Sequence, residues 1–213
     1  MNDSVSVMPN SSPAPASPPP NQAYLLGNLP NILPEGKAFP RRAQQQIDLL
    51  LLALEALELG GSELMLASAK RLELTEIIPH RVALWRLRCS NPWRRSHTHR
   101  NLTPDEAKAL ILILGDRSKK LTALLRQLLI AEQQLRARQL PLDNHFRLSE
   151  YLERFRVHFR SRMNSRRVRV MLYNESKQDL NELALDLLKK LLFCTGTVGI
   201  QRLWVSLFDG EVS

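Results

Sequence analysis

The stretch from Arg41 to Leu59 contains no glycine and no proline, and the run Leu49-Leu50-Leu51-Leu52-Ala53-Leu54 lies inside it. A helix with that run is apolar on most sides, with Asp48 and Glu55, seven residues apart, sharing the remaining polar stripe. A helix that is apolar nearly all round must be surrounded rather than laid on a surface. The rest of the chain therefore has to supply partners that wrap it, and Gly60-Gly61 marks where it stops.

The composition agrees with helical partners. Leucine dominates the apolar positions, the aromatic fraction is 6%, and the hydrophobic fraction is 44%. Leucine favours helices, whereas strands draw on β-branched and aromatic residues. A chain of 213 residues can enclose one sizeable core or two small ones. The expectation is an all-α fold: an irregular multi-helix bundle in a single domain over residues 41–213, with roughly six to eight helices.

Residues 1–40 hold nine of the thirteen prolines, with many Ser and Asn. That composition cannot bury a core and predicts a disordered or polyproline-like arm. Tyr24-Leu25-Leu26, Leu29 and Ile32-Leu33 stand out from it, and docking on the chain's own domain is favoured over docking on a partner.

Local signals divide the remainder. Ser62 can cap a short helix that ends near Arg71. Thr75 and Pro79 frame another, with Val82, Trp85, Arg86 and Arg88, ended by Asn91-Pro92. Thr103-Pro104-Asp105-Glu106 forms a capping box with proline at the first helical position. Gly115-Asp116 is expected to kink or break the helix that follows. Leu121, Leu124, Leu125, Leu128, Leu129 and Leu135 then repeat at helical spacing, as core or as an interface, until Pro141 ends the segment.

Ser149 is the expected cap of a helix with Tyr151, Leu152, Phe155, Phe159 and Met163 on one face. Arg167 to Leu172 alternates in polarity and permits one short strand. Ser176 or Asp179 opens a helix through Leu180, Leu183, Leu187, Leu188 and Leu191. Ile200, Leu203, Trp204, Leu207 and Phe208 define the inner face of a last helix that stops near Gly210. No repeat of solenoid length is present.

Charge is segmental. Residues 77–174 carry 21 Lys and Arg against 7 Asp and Glu, a net of +14. Residues 1–76 sum to −3 and residues 175–213 to −2, giving +9 overall. Two parts lack acids altogether: Pro79 to Arg100 with six arginines, and Arg154 to Asn174 with seven. The chain holds 22 Arg and 8 Lys, and Arg stays charged when partly buried and grips carboxylate or phosphate through a planar fork. Such a surface draws polyanions or acidic partners.

The candidate contacts are Arg86, Arg88, Trp93, Arg94, Arg95, Arg100, Arg156, Arg160, Arg166 and Arg167. Arg156, Arg160 and Arg167 fall within about 40° of one another on a helical wheel, beside the aromatic face rather than on it. The plainer alternative is a face paired with acids elsewhere in the fold, such as those of the first helix. For Trp93, burial in the core is the plainer reading than a stacking platform for RNA.

The leading functional expectation is a non-catalytic interaction or regulatory module whose Arg-rich face binds an acidic partner protein. RNA or nonspecific DNA binding is the alternative, although no RRM signature, zinc-finger spacing or convincing helix-turn-helix is present. Peripheral attachment to an anionic membrane through the same arginines is a third reading.

No catalytic residue, cofactor site or metal site is assigned, and an enzyme is the least supported class. His97 and His99 lack further ligands and sit among arginines. Cys194-Thr195-Gly196-Thr197-Val198-Gly199 lacks the lysine of a phosphate loop and follows a helix, so it is read as a helix–helix turn. Cys194 reads as a packed thiol, and two distant cysteines suit a reducing compartment. Asp3 and the lack of an early apolar run give no signal-peptide pattern, and Leu191 to Gln201 is too short to span a bilayer. The expected location is cytoplasmic, with a peripheral position at the cytoplasmic side of a membrane as the alternative.

Two stretches carry a resemblance. One runs from Arg100 to Leu110 with the capping box inside it; the other, the more specific, runs from Leu192 to Val212 through the Cys194–Gly199 turn. With Leu50 to Met65 they resemble domain of unknown function 3038, an uncharacterised cyanobacterial family. The likeness covers about residues 45–212. It implies a cyanobacterial cytoplasmic or thylakoid-side setting and brings no activity, so no functional residue is carried over.

Overall fold

The computed structural model describes residues 26–33, 37, 39–78, 102–139, 147–165 and 179–209. Among these the protein is all-α, with six helices and no strand. They are α1 (Arg41–Ala56), α2 (Ser62–Arg71), α3 (Pro104–Ala137), α4 (Leu148–Ser165), α5 (Leu180–Phe193) and α6 (Gly196–Ser206). The expected helix around Val82 and Trp85 and the short strand at 167–172 lie outside the described residues.

The leucine run makes α1 the central element. Leu49 to Leu54 are all buried, together with Ala43, Ile47 and Ala56. Helices α3, α4 and α5 pack round it. Its end is a Schellman motif: Leu59 N–H reaches the Leu54 carbonyl at 2.9 Å and Glu58 N–H the Glu55 carbonyl at 3.0 Å. The left-handed position is filled by Glu58, at φ 59°, and not by the glycines expected to stop the helix. Gly60 serves the return of the chain instead. A Cβ there would lie 2.6 Å from Glu55 N. Helix α2 closes the same way, with Glu73 at φ 56°.

Helix α3 opens on the capping box read from the sequence. Thr103 Oγ1 accepts Glu106 N–H at 3.2 Å, and Glu106 Oε2 accepts Thr103 N–H at 2.8 Å. The helix then runs through all 34 residues, about 50 Å at 1.5 Å per residue. The helix continues through Gly115 without a break. A Cβ at Gly115 would lie 2.6 Å from Ile200 Cδ1 and 2.9 Å from the Cys194 carbonyl oxygen, so the residue is a crossing point where α3 meets the α5–α6 corner. Close packing there offsets the roughly 1 kcal/mol helix-propensity cost of glycine.

Helices α5 and α6 are joined by a tight turn at Cys194-Thr195. Asp179 caps α5 through Asn181 N–H at 3.3 Å, one of the two starts expected for that helix. The Cys194 thiol donates to the Lys190 carbonyl at 3.0 Å, and burial pushes its pKa up to about 12, so it stays protonated and packed. Ile200, Leu203, Trp204, Leu207 and Phe208 are all buried, the face expected from their spacing.

That face is closed from upstream. Leu29 and Phe39 are buried, and Leu26, Ile32 and Leu33 pack against the core. Phe39 stacks on Trp204 with ring centres 5.8 Å apart and meets Phe208 edge-on at 5.7 Å. Trp204 Nε1 donates to the Pro30 carbonyl at 2.9 Å. The docking in cis expected of this segment is seen for Leu26, Leu29, Ile32 and Leu33, while Tyr24 and Leu25 lie outside the described residues, and the packed chain includes residues upstream of Arg41.

Candidate functional site

The outer side of α4 is where the described residues present the Arg-rich segment. Phe155, Phe159 and Met163, at four-residue intervals, are buried and fix the rotation of the helix. Tyr151 and Leu152 extend that face and are half-buried. Its hydroxyl buried, Tyr151 has its pKa raised to about 12 by desolvation first and by Glu58 second, which keeps the phenol neutral where α4 begins near the end of α1. The start of α4 is held from another helix. Leu148 N–H donates to Glu132 Oε1 of α3, so the helix begins one residue before the Ser149 expected to cap it.

With the inner face fixed, Arg154, Val157, His158, Arg160, Ser161 and Arg162 face outward and are exposed. Val157 is 55% exposed. It lies three residues from each of Arg154 and Arg160, so on the helix surface an aliphatic side chain is flanked by two guanidinium groups.

The two described candidate arginines behave differently. Arg156 is half-buried and pairs with Glu153 at 3.2 Å, one turn earlier on the same helix. Its Nε is buried without a hydrogen-bond partner among the described residues. Arg160 is exposed and donates through Nη2 to Asn181 Oδ1 on α5. Asn181 in turn donates through Nδ2 to Asp179 Oδ2 at 3.1 Å. Arg160 therefore latches α4 to the start of α5 through a neutral amide, and its own charge stays uncompensated by direct ion pairing in that contact.

Arg86, Arg88, Trp93, Arg94, Arg95, Arg100, Arg166 and Arg167 lie outside the described residues, as do His97 and His99. The structure thus places Arg156 and Arg160 on one helix, the first in a local ion pair and the second in an interhelix latch. Sequence reasoning passed over Asn181 and Val157. The Asp179-Leu180-Asn181 start of α5 is legible as a cap, but that its amide meets Arg160 is a long-range fact.

A second polar cluster ties α2 to α3. Arg71 pairs with Asp116, and Arg117, 2% exposed, donates Nε–H to the Leu59 carbonyl at 2.6 Å. Burial lowers the Arg117 pKa below its usual value, Asp116 opposes that shift, and Arg71 adds to it. The cluster fastens the α1–α2 turn to α3 and is structural. Among the described residues no group of three or more His, Cys, Asp and Glu is arranged to hold a metal. No described helix is long and apolar enough to cross a membrane.

Residues 40–209 match the model of one family, described as a protein of unknown function (DUF3038), and the chain belongs to that family. No curated protein and no solved structure matches the chain.

Proposed function

We propose that this member of the DUF3038 family is a non-catalytic binding module whose outer α4 face takes an acidic partner protein. The observation that supports the reading is the exposed Val157 between Arg154 and Arg160 on a helix whose rotation is locked by Phe155, Phe159 and Met163. A carboxylate-bearing protein surface can satisfy both guanidinium groups and cover the aliphatic side chain between them. A phosphate backbone would satisfy the charges and leave Val157 in water, which is why a protein is favoured over RNA or DNA. Arg156, half-buried and paired with Glu153, supports the helix and is not counted among the partner contacts.

The test is capture from a cyanobacterial cytoplasmic lysate, the setting that the family resemblance implies. Wild type is compared with Arg154→Glu and with Val157→Glu. The expected outcome is an acidic protein retained by wild type at low salt and lost with either variant. Loss with Arg154→Glu alone, together with oligonucleotide binding that falls log-linearly with salt, would move the reading to nucleic acid. No protein enriched at low salt would remove it.

A further inference from the structure

The outer side of the second half of α3 carries a block of like charge. Residues 117–139 hold six Lys and Arg and one acid, Glu132. Arg117 is buried, but Lys119, Lys120, Arg126, Arg136 and Arg138 are all exposed. None of these five forms an ion pair among the described residues. Glu132 is half-buried and accepts Leu148 N–H. Neighbouring acids have partners of their own: Asp116 pairs with Arg71, and Glu150 at the start of α4 pairs with Arg147. Beside the Asp116 contact, the end of α2 adds exposed Lys70 and Glu73, one charge of each sign.

The five cations are ordered along the helix. Buried Leu121 and Leu128 turn this half inward. At about 100° per residue, Lys119, Arg126 and Ile130 fall within about 40° of one another on the opposite side. Lys120 and Arg138 lie along one edge of that stripe, and Leu129 and Arg136 along the other. Ile130 is 53% exposed and Leu129 46%. From Lys119 to Arg138 this side runs about 30 Å. Two large aliphatic groups sit near its middle, with cations at both ends and along both edges.

That pattern suits a flat anionic surface with an apolar layer beneath it. A helix of this length lies against a plane along its whole side, and long Lys and Arg side chains bend from the edges to reach it. All five cations then meet phosphate together, while Leu129 and Ile130 enter the boundary between headgroups and acyl chains. A nucleic-acid backbone would take the charges and leave the aliphatic groups in water. An acidic protein would need carboxylates spread over the same 30 Å.

We propose that the outer side of α3 from Lys119 to Arg138 docks on an anionic lipid bilayer, with Leu129 and Ile130 entering its interface. The site is separate from the α4 face and stands without it. The test is flotation of the full chain, at low salt, with vesicles of phosphatidylcholine alone or mixed with phosphatidylglycerol. Binding is expected to the mixed vesicles only, and to weaken as salt rises. Each basic residue at such a surface is worth about fivefold in partitioning, so Arg126→Gln with Arg136→Gln should weaken it about 25-fold. Ile130→Ser should weaken it about fivefold with no change in charge. Arg154→Glu on α4 should leave it within about twofold of wild type. All these positions are exposed, so the urea midpoints should match the wild type.

No flotation with the mixed vesicles overturns the proposal. So does flotation that the α3 variants leave intact, or that Arg154→Glu weakens as much as the α3 pair does, which would put the lipid contact on α4. Without flotation, oligonucleotide binding weakened by the α3 pair gives the face to nucleic acid. A concentration-dependent dimer lost in Ile130→Ser, again without flotation, gives it to a second copy.

Discussion

The two halves of α3 have similar leucine-rich sequences and opposite surroundings. From Ala107 to Gly115 every residue is buried, and even Lys108 and Arg117 are enclosed. Beyond Lys120 only Leu121 and Leu128 are buried, the latter outside the main core cluster, while Leu129 and Ile130 are 46% and 53% exposed. The buried half meets α2 at Asp116 and the α5–α6 turn at Gly115, and the other half continues past them to Glu132, which holds the start of α4. Helical periodicity says which residues share a face. It does not say whether anything lies opposite that face, and that decides how much stability the face contributes.

The contrast is broken most directly by truncating a leucine in each half. Leu110 is fully buried, and Leu110→Ala is expected to cost about 3 kcal/mol through lost transfer energy and a residual cavity. Leu129→Ala should cost less than about 0.5 kcal/mol, as for an ordinary surface position. Urea unfolding of both variants measures the difference. Equal losses would mean that the distal half is covered in solution by something that restores its burial.

A second test adds volume instead of removing it. Gly115→Ala improves helix propensity by about 1 kcal/mol but puts a methyl group against Ile200 and the Cys194 carbonyl. The net expectation is a loss of about 1–2 kcal/mol from overpacking. Ile200→Val in the same chain should recover part of it, since the nearest clashing atom is Ile200 Cδ1. Gln127→Ala on the exposed half meets no such wall and is expected to be neutral or slightly stabilising by the same unfolding measurement.

These positions also show what the sequence could carry. The capping box at Thr103 was legible because all its partners lie within four residues. So was the inner face of α6, because five apolar residues mark it. The central placement of α1 followed from a run with too little polar surface to face water. Gly115 does not break α3, and the neighbour that accounts for it, Ile200, is 85 residues away in sequence. Gly60-Gly61 marked the stop, but the left-handed position is Glu58, with Leu59 closing the Schellman bond. The start of α4 rests on Glu132, which no local motif connects to Leu148. At the candidate site, the spacing of Arg156 and Arg160 was readable, but the Glu153 and Asn181 contacts that separate their roles depend on side-chain rotamers and on where α5 begins.

The smallest expected effect tests whether the two halves unfold together. Gln139, just past the end of α3, sits at φ 53°, and Glu58, past the end of α1, at φ 59°. Glycine relieves the crowding that an L side chain meets in this region, worth about 1 kcal/mol at either site. For Glu58→Gly the gain should appear in full in global urea unfolding, because α1 is the centre of the core. For Gln139→Gly it should appear as about fivefold slower amide exchange near Gln134 to Arg138, with the global midpoint almost unmoved, because an end that frays below the global transition stabilises only itself. If Gln139→Gly raises global stability as much as Glu58→Gly, the projecting half of α3 is cooperative with the core despite its exposure. For the exposed Leu129 and Ile130 that cooperativity would then come through helix continuity from Gly115.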